Sequence, residues 1–140
     1  YFQTYEKHLK RRPGQELHFE LGRAIVCQCG SLITRCLYVK QTEHKQFVIV
    51  DAGMTDLIRP ALYGALHRIE NLSSREAGQP YDVVGPICES SDVFACQYNL
   101  PATRRGHLLA IRSAGAYGQI MASQYNCRPL PKGYLDKDLE

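Results

Sequence analysis

Four groups of residues in this chain have the side chains that chemistry needs. The densest is Cys88-Glu89-Ser90-Ser91-Asp92, where a thiol, two carboxylates and two hydroxyls follow the apolar run Val83-Val84-Gly85-Pro86-Ile87 without a spacer. Polar groups on a loop held by a rigid strand are a common way to build a site, and the same stretch also reads as a plain turn with helix-capping serines. The other groups are Glu20, Gly22 and Arg23; Arg59 and Tyr63; and Tyr117. Two arginines with one or two carboxylates suit a zwitterionic ligand. A guanidinium matches a carboxylate with two parallel N–H donors, and a carboxylate accepts from an ammonium group. Tyr63 lies four residues after Arg59, a spacing that turns both side chains toward one ligand if the segment is helical; the alternative is an ordinary surface Arg and a half-buried Tyr.

The elements that must position these groups follow from apolar spacing and from turn residues. Phe2, Tyr5 and Leu9 have helical spacing, and that helix must stop before Pro13-Gly14. Leu17 to Leu21 alternates in polarity and reads as a strand. Ala24 to Val39 reads as one long β segment, broken or bulged near Cys29-Gly30-Ser31, with Cys27 and Cys29 on one strand face. Gln41 to Gln46 is a hairpin connection into the buried return strand Phe47-Val48-Ile49-Val50. Asp51 to Asp56 is a polar loop, and Pro60 suits the first turn of a short helix carrying Leu62, Tyr63, Leu66 and Ile69. Asn71 to Pro80 reads as a loop, Tyr81 to Ile87 as the strand into the Cys88 cluster, Val93 to Cys96 as its apolar continuation, and Leu108 to Ile111 as a further buried strand. Small residues from Ser113 to Gly118 surround Tyr117 and let backbone or ligand approach closely, and the tail from Cys127 to Gly133 should be extended. Many short strands argue for an all-β barrel or sandwich, whereas the opening helix and strand are α/β in character, which suggests a start in the middle of a larger architecture.

Composition narrows the functional classes. With 140 residues, 44% of them hydrophobic, the chain can close one core without metal or disulfides. A net charge of +3 is too weak a field to argue for nucleic acid or an anionic membrane, and the basic clusters Lys10-Arg11-Arg12 and Arg104-Arg105 lack interleaved aromatics. The six cysteines (27, 29, 36, 88, 96 and 127) form no C-x-x-C pair, so no metal site is expected. With no signal peptide and no apolar run able to span a bilayer, reduced thiols in a cytoplasmic protein are the expectation.

The segments Phe19-Glu20-Leu21-Gly22-Arg23, Val50 to Tyr63, Val84 to Asp92 and Ala114-Gly115-Ala116-Tyr117 together resemble the diaminopimelate decarboxylases, in that family's order. The resemblance covers essentially the whole chain. It implies the alanine racemase-like architecture of pyridoxal-phosphate decarboxylases: residues 1–26 as the last helix and strand of a truncated cofactor-binding (β/α)8 barrel, and residues 27–140 as a mainly β C-terminal barrel with short helices. A complete (β/α)8 barrel takes about 250 residues. Most of it, with the Schiff-base lysine and the glycine-rich phosphate loop, is therefore expected to lie outside these 140 residues, and the chain alone is expected to be inactive.

The resemblance also implies roles. Glu20 corresponds to the carboxylate facing the pyridine nitrogen of pyridoxal 5'-phosphate, and Gly22 and Arg23 to the turn near the cofactor phosphate and the substrate carboxylate, with Leu21 where the family usually has proline. Arg59 and Tyr63, with Arg23, would hold the distal carboxylate of the amino-acid substrate, Glu89 its distal ammonium, Cys88 would sit near the reacting carbon, and Tyr117 would pack at the cofactor. Cys88 and Glu89 would cross a two-fold interface, implying a homodimer with a shared site. Arg59 argues for diaminopimelate over ornithine, arginine or carboxynorspermidine, because a buried guanidinium facing a lone cation is costly. The class-level rival is a non-catalytic dimerisation or regulatory module derived from such an enzyme.

Overall fold

The structure, a computed structural model, describes residues 2–138. Short helices lie at Phe2–His8 (α1), Arg23–Val26 (α2) and Arg59–Tyr63 (α3). The strands are Ser31–Gln41 (β1), Gln46–Val50 (β2), Ile69–Asn71 (β3), Gly78–Val84 (β4), Val93–Pro101 (β5) and Leu108–Arg112 (β6). They form one six-stranded sheet in the order β3-β6-β1-β2-β4-β5. The two outer strands approach each other, and the Ile69 N–H on β3 donates to the Tyr98 hydroxyl on β5 at 3.0 Å, so the sheet is a nearly closed barrel. No helix among the described residues is long and apolar enough to cross a membrane.

β1 serves two neighbours. Its first half pairs with β6 from Ser31↔Arg112 to Arg35↔Leu108, and its second half pairs with β2 from Cys36↔Val50 to Gln41↔Gln46. Between Cys36 and Tyr38 the register slips by one residue at Leu37, a bulge that bends the strand and helps the sheet curl. The Gln41–Gln46 connection is a tight turn, with the Thr42 N–H donating to the Lys45 carbonyl at 2.8 Å. Inward residues from every side of the barrel meet in one core, with Cys36, Val48, Val83, Leu109 and Ile111 fully buried and Leu57, Tyr81 and Leu100 nearly so. Each such apolar side chain contributes about 1.5–3 kcal/mol on burial.

One pairing decides where the site goes. β2 and β4 run parallel, from Phe47↔Asp82 to Ile49↔Val84, while the other pairs are antiparallel. Parallel neighbours need a crossover in place of a hairpin. Here that crossover contains the Asp51–Ile58 loop, α3 and β3, and it carries Arg59 and Tyr63 out of the barrel wall.

Several expectations are corrected. Leu17 to Leu21 forms no strand, because alternation alone supplies no ladder partner; Phe19 packs edge-on against Phe2 and Tyr5, with ring centroids 5.0 and 5.2 Å away. The β segment begins at Ser31, not Ala24: Arg23–Val26 is a helical turn and Cys27–Cys29 a 3₁₀ turn, so the two thiols do not share a strand face. Long-range bonds hold that turn, from the Gly115 N–H to the Cys27 carbonyl (3.0 Å) and from the Ala114 N–H to the Gly30 carbonyl (2.9 Å). α3 stops at Tyr63, where Gly64 takes a left-handed φ of 61°, which leaves Leu66 97% exposed and sends Ile69 into β3 and the core. β4 claims Gly78 to Pro80 from the expected loop and ends at Val84, and β5 runs on to Pro101. In the tail only Cys127 departs from the expected extended course, as the last residue of a 3₁₀ turn at Tyr125–Cys127; residues 128–133 carry no helix or strand, and a further 3₁₀ turn at Asp136–Asp138 lies beyond them. All six cysteines are free thiols.

Candidate functional site

Three loops at one end of the strands position the side chains singled out in the sequence. The first leaves β2 at Asp51. Its carboxylate Oδ1 accepts from the Thr34 hydroxyl (2.6 Å) and the Arg35 N–H (2.8 Å), and Thr34 Oγ1 in turn accepts from the Ala52 N–H at 3.0 Å. A turn follows in which Asp56 Oδ2 accepts the Gly53 N–H at 2.8 Å and Leu57 plugs into the core. The chain therefore enters α3 in a fixed direction, and the helical turn brings Arg59 and Tyr63 onto one face. The Arg59 guanidinium carbon lies 5.2 Å from the Tyr63 ring centroid and 5.7 Å from that of Tyr117. A guanidinium between two aromatic rings is held by its attraction to their faces while its N–H fork stays available to an anion.

Tyr117 comes from the second loop. Gly115 lies so close to the Cys27–Cys29 turn that a Cβ there would overlap the Val26 carbonyl oxygen, which explains the small residues around the tyrosine. Ala116 is buried, Tyr117 itself takes a left-handed φ of 61°, and the ring stands half exposed. A Cβ on Gly22 would lie 4.0 Å from the Tyr117 hydroxyl, so Gly22, between Glu20 and Arg23 in the chain, lies next to that side chain. The Ser123 N–H donates to the Thr55 carbonyl at 2.9 Å, tying this loop to the first.

The third loop, Gly85 to Asp92, carries Cys88 and Glu89, both exposed. Ser91 reaches across to the Met54 sulfur at 3.7 Å. Among the described residues, no hydrogen bond or ion pair joins Cys88 or Glu89 to Arg59, Tyr63 or Tyr117. The predicted residues thus fall into two groups, one around the Tyr117 ring and one on a separate exposed loop. Beside the first group opens a cleft of about 810 Å³, walled by β1, the Asp51–Leu57 loop and tail residues Pro131 to Tyr134, which shares Tyr117 with the predicted set.

Two organising residues escaped the sequence reading. In sequence Asp92 is one more carboxylate of the Cys88 cluster, yet it is buried and holds two loops together. Burial pushes its carboxyl group up, against the N–H groups of Ile87 and Met54 and the charge of Arg128. Arg128 in the tail donates to the Asp51 carbonyl and lies 3.8 Å from the Asp56 carboxylate, bracing the first loop from outside. No local pattern marks it, because its partners are more than seventy residues away.

Residues 6–115 match the family model for the C-terminal sheet domain of pyridoxal-dependent decarboxylases. The chain is 66% identical over 139 residues to a diaminopimelate decarboxylase of Bacteroides thetaiotaomicron, covering 99% of this chain and 36% of that protein. The crystal structure of a diaminopimelate decarboxylase from Helicobacter pylori complexed with L-lysine superimposes with a TM-score of 0.74 at 52% identity, covering 79% of this chain and 27% of that one. The corresponding enzyme from M. jannaschii, also in complex with L-lysine, gives 0.79 at 36% identity, covering 93% and 29%. The chain spans about a third of the length of the curated Bacteroides thetaiotaomicron relative. A nearly closed six-stranded barrel, a crossover loop bearing Arg59 and Tyr63, and the match over residues 6–115 agree: the chain belongs to the pyridoxal-dependent decarboxylases, as their C-terminal sheet domain.

Proposed function

We propose that this chain is the C-terminal part of a diaminopimelate decarboxylase, which converts meso-2,6-diaminopimelate to L-lysine and CO2. The observation that carries the reading is the Arg59 guanidinium held between the Tyr63 and Tyr117 rings. A decarboxylase that makes a diamine needs to hold only an ammonium at the far end of its substrate, whereas diaminopimelate has a second carboxylate there, and an aromatic-braced guanidinium suits that carboxylate. The relatives solved with L-lysine carry the product of this reaction. In this reading residues 1–26 close the cofactor-binding (β/α)8 barrel, residues 27–140 form the second domain, and the protein is a cytoplasmic homodimer.

The residues present fit pyridoxal 5'-phosphate. The missing side chain of Gly22 leaves space beneath Tyr117, whose half-exposed ring offers a flat apolar face. Glu20, Gly22, Arg23 and Tyr117 would hold the cofactor, which supplies an electron sink for the bond to the departing carboxylate. Glu20 would accept a hydrogen bond from the ring nitrogen and favour its protonated form. Arg59, Tyr63 and Arg23 bind the distal carboxylate and so orient the other end of the substrate for loss of CO2. In the partner's site, Glu89 receives the distal ammonium and the Cys88 Sγ–H delivers a proton to the carbon that lost CO2.

The test uses the full-length holoenzyme, meaning this chain together with the N-terminal two thirds that its relatives carry. It should release L-lysine and CO2 from meso-diaminopimelate and leave ornithine and arginine unchanged. A cofactor-loaded dimer that yields no lysine would favour the non-catalytic module instead.

A further inference from the structure

Asp92 is 4% exposed, and its carboxylate is divided between two loops. Oδ1 accepts the Met54 N–H at 2.6 Å, in the turn that leads to Arg59. Oδ2 accepts the Ile87 N–H at 2.8 Å, in the loop that presents Cys88 and Glu89. The loop then closes on the Asp92 backbone, which accepts from the Gly85 N–H and donates to the Glu89 carbonyl, both at 3.0 Å. Two glycines make room for the carboxylate. A Cβ on Gly53 would come within 3.2 Å of Oδ2, and one on Gly85 would overlap the carboxylate itself. Hydrogen bonds from N–H groups to an ionised acceptor are roughly twice as strong as neutral ones, and a carboxylate offers a separate oxygen to each of two diverging N–H donors. Asparagine has the same shape but a single acceptor oxygen, so its NH2 would face one of the two donors.

We propose, resting on the function read above, that Asp92 is a positioning residue that locks the Cys88-Glu89 loop to the turn leading into Arg59. One chain serves two sites in that reading: Arg59 its own, Cys88 and Glu89 the partner's. The Asp92 lock therefore sets the spacing between a chain's two contributions. Burial opposes the charge on this carboxyl group, so an apolar or neutral side chain would be the cheaper filling, and the two N–H donors are what the charge answers.

The test is Asp92→Asn in the full-length holoenzyme. Its kcat/KM for meso-diaminopimelate should fall by about tenfold or more, with kcat and KM both changed, while cofactor absorbance and dimer mass stay those of the wild type. Hydrogen exchange at the Met54 and Ile87 amides should speed up together. Gly85→Ala keeps the charge and displaces the carboxylate, so it should reproduce the loss, and the double variant should be no worse than the poorer single one. Activity within about twofold of wild type, or protection unchanged at both amides, or additive losses, would each overturn the lock. Should Asp92→Asn fail to fold, Gly85→Ala decides the matter by the same readings. The exchange measurement reads the lock whether or not the protein decarboxylates, so an inactive wild type sinks the function and leaves this inference to be judged separately.

Discussion

Leu17, Phe19 and Leu21 alternate as regularly as Val48 and Val50, yet the first three lie partly exposed on irregular chain while the other two face the core from a paired strand. The same contrast holds along the molecule. α1, α2 and the turn at Cys27–Cys29 bury no residue, whereas each strand of the barrel contributes to one continuous core. A strand exists through its neighbours, and a period-two pattern becomes one only where another backbone lies alongside. In the proposed enzyme the apolar faces of residues 2–26 are those that belong against the remainder of the (β/α)8 barrel. Residues 2–26 bury nothing within this chain, whereas the barrel strands carry their own core.

The contrast can be broken by mutation, beginning with the barrel. Leu109→Ala removes a fully buried side chain from β6 and should cost about 2–5 kcal/mol in urea unfolding, because the surrounding strands cannot collapse onto the gap. A loss under about 1 kcal/mol would mean that the barrel is not the stabilising core. Arg59→Ala, on the crossover, should leave stability nearly unchanged and lower kcat/KM of the full-length holoenzyme for meso-diaminopimelate by more than about tenfold, upwards of ~1.4 kcal/mol. An unchanged kcat/KM would remove Arg59 from the site. Next comes the Asp82–Lys45 ion pair, which ties β4 to the β1–β2 hairpin at 2.8 Å. Burial pushes the Asp82 carboxyl up, but the Lys45 ammonium and the Gln97 donors outweigh it and hold it below the ordinary carboxylate range. A carboxyl lowered on folding stabilises at pH values above its unfolded value, and that contribution is lost as pH falls through the folded one. Asp82→Asn should therefore flatten the acid side of the thermal-midpoint profile, and an acid limb that stays as steep would show that the pair is idle. Smallest of all is Ile25→Ala in α2: at 67% exposure it should change the stability of this chain by no more than about 0.5 kcal/mol, and a larger loss would place α2 in the core after all.

Where local pattern and tertiary packing agree, the chain could be read directly. Phe47 to Val50 and Leu108 to Ile111 are apolar and flanked by turn residues, and they are strands. Pro60 near the start and Gly64 after the end bracket α3, so the four-residue spacing of Arg59 and Tyr63 became a shared face. Where packing overrides pattern, reading failed. Cys27 and Cys29 alternate like strand residues, but bonds from Ala114 and Gly115 wind that segment into a turn. The weight carried by Asp92 and Arg128 was hidden for a different reason: an aspartate after two serines looks like any polar turn, and only the folded chain brings Met54 to one and Asp51 to the other.

The central claim is that Arg59 and Cys88 of one chain serve different sites in a dimeric decarboxylase. Full-length Arg59→Ala and Cys88→Ala proteins, each nearly inactive, can be co-refolded and assayed for lysine release from meso-diaminopimelate. A heterodimer then contains one doubly damaged site and one intact one, so random mixing should restore about a quarter of wild-type activity. Activity no higher than the mean of the two parents would contradict the shared site.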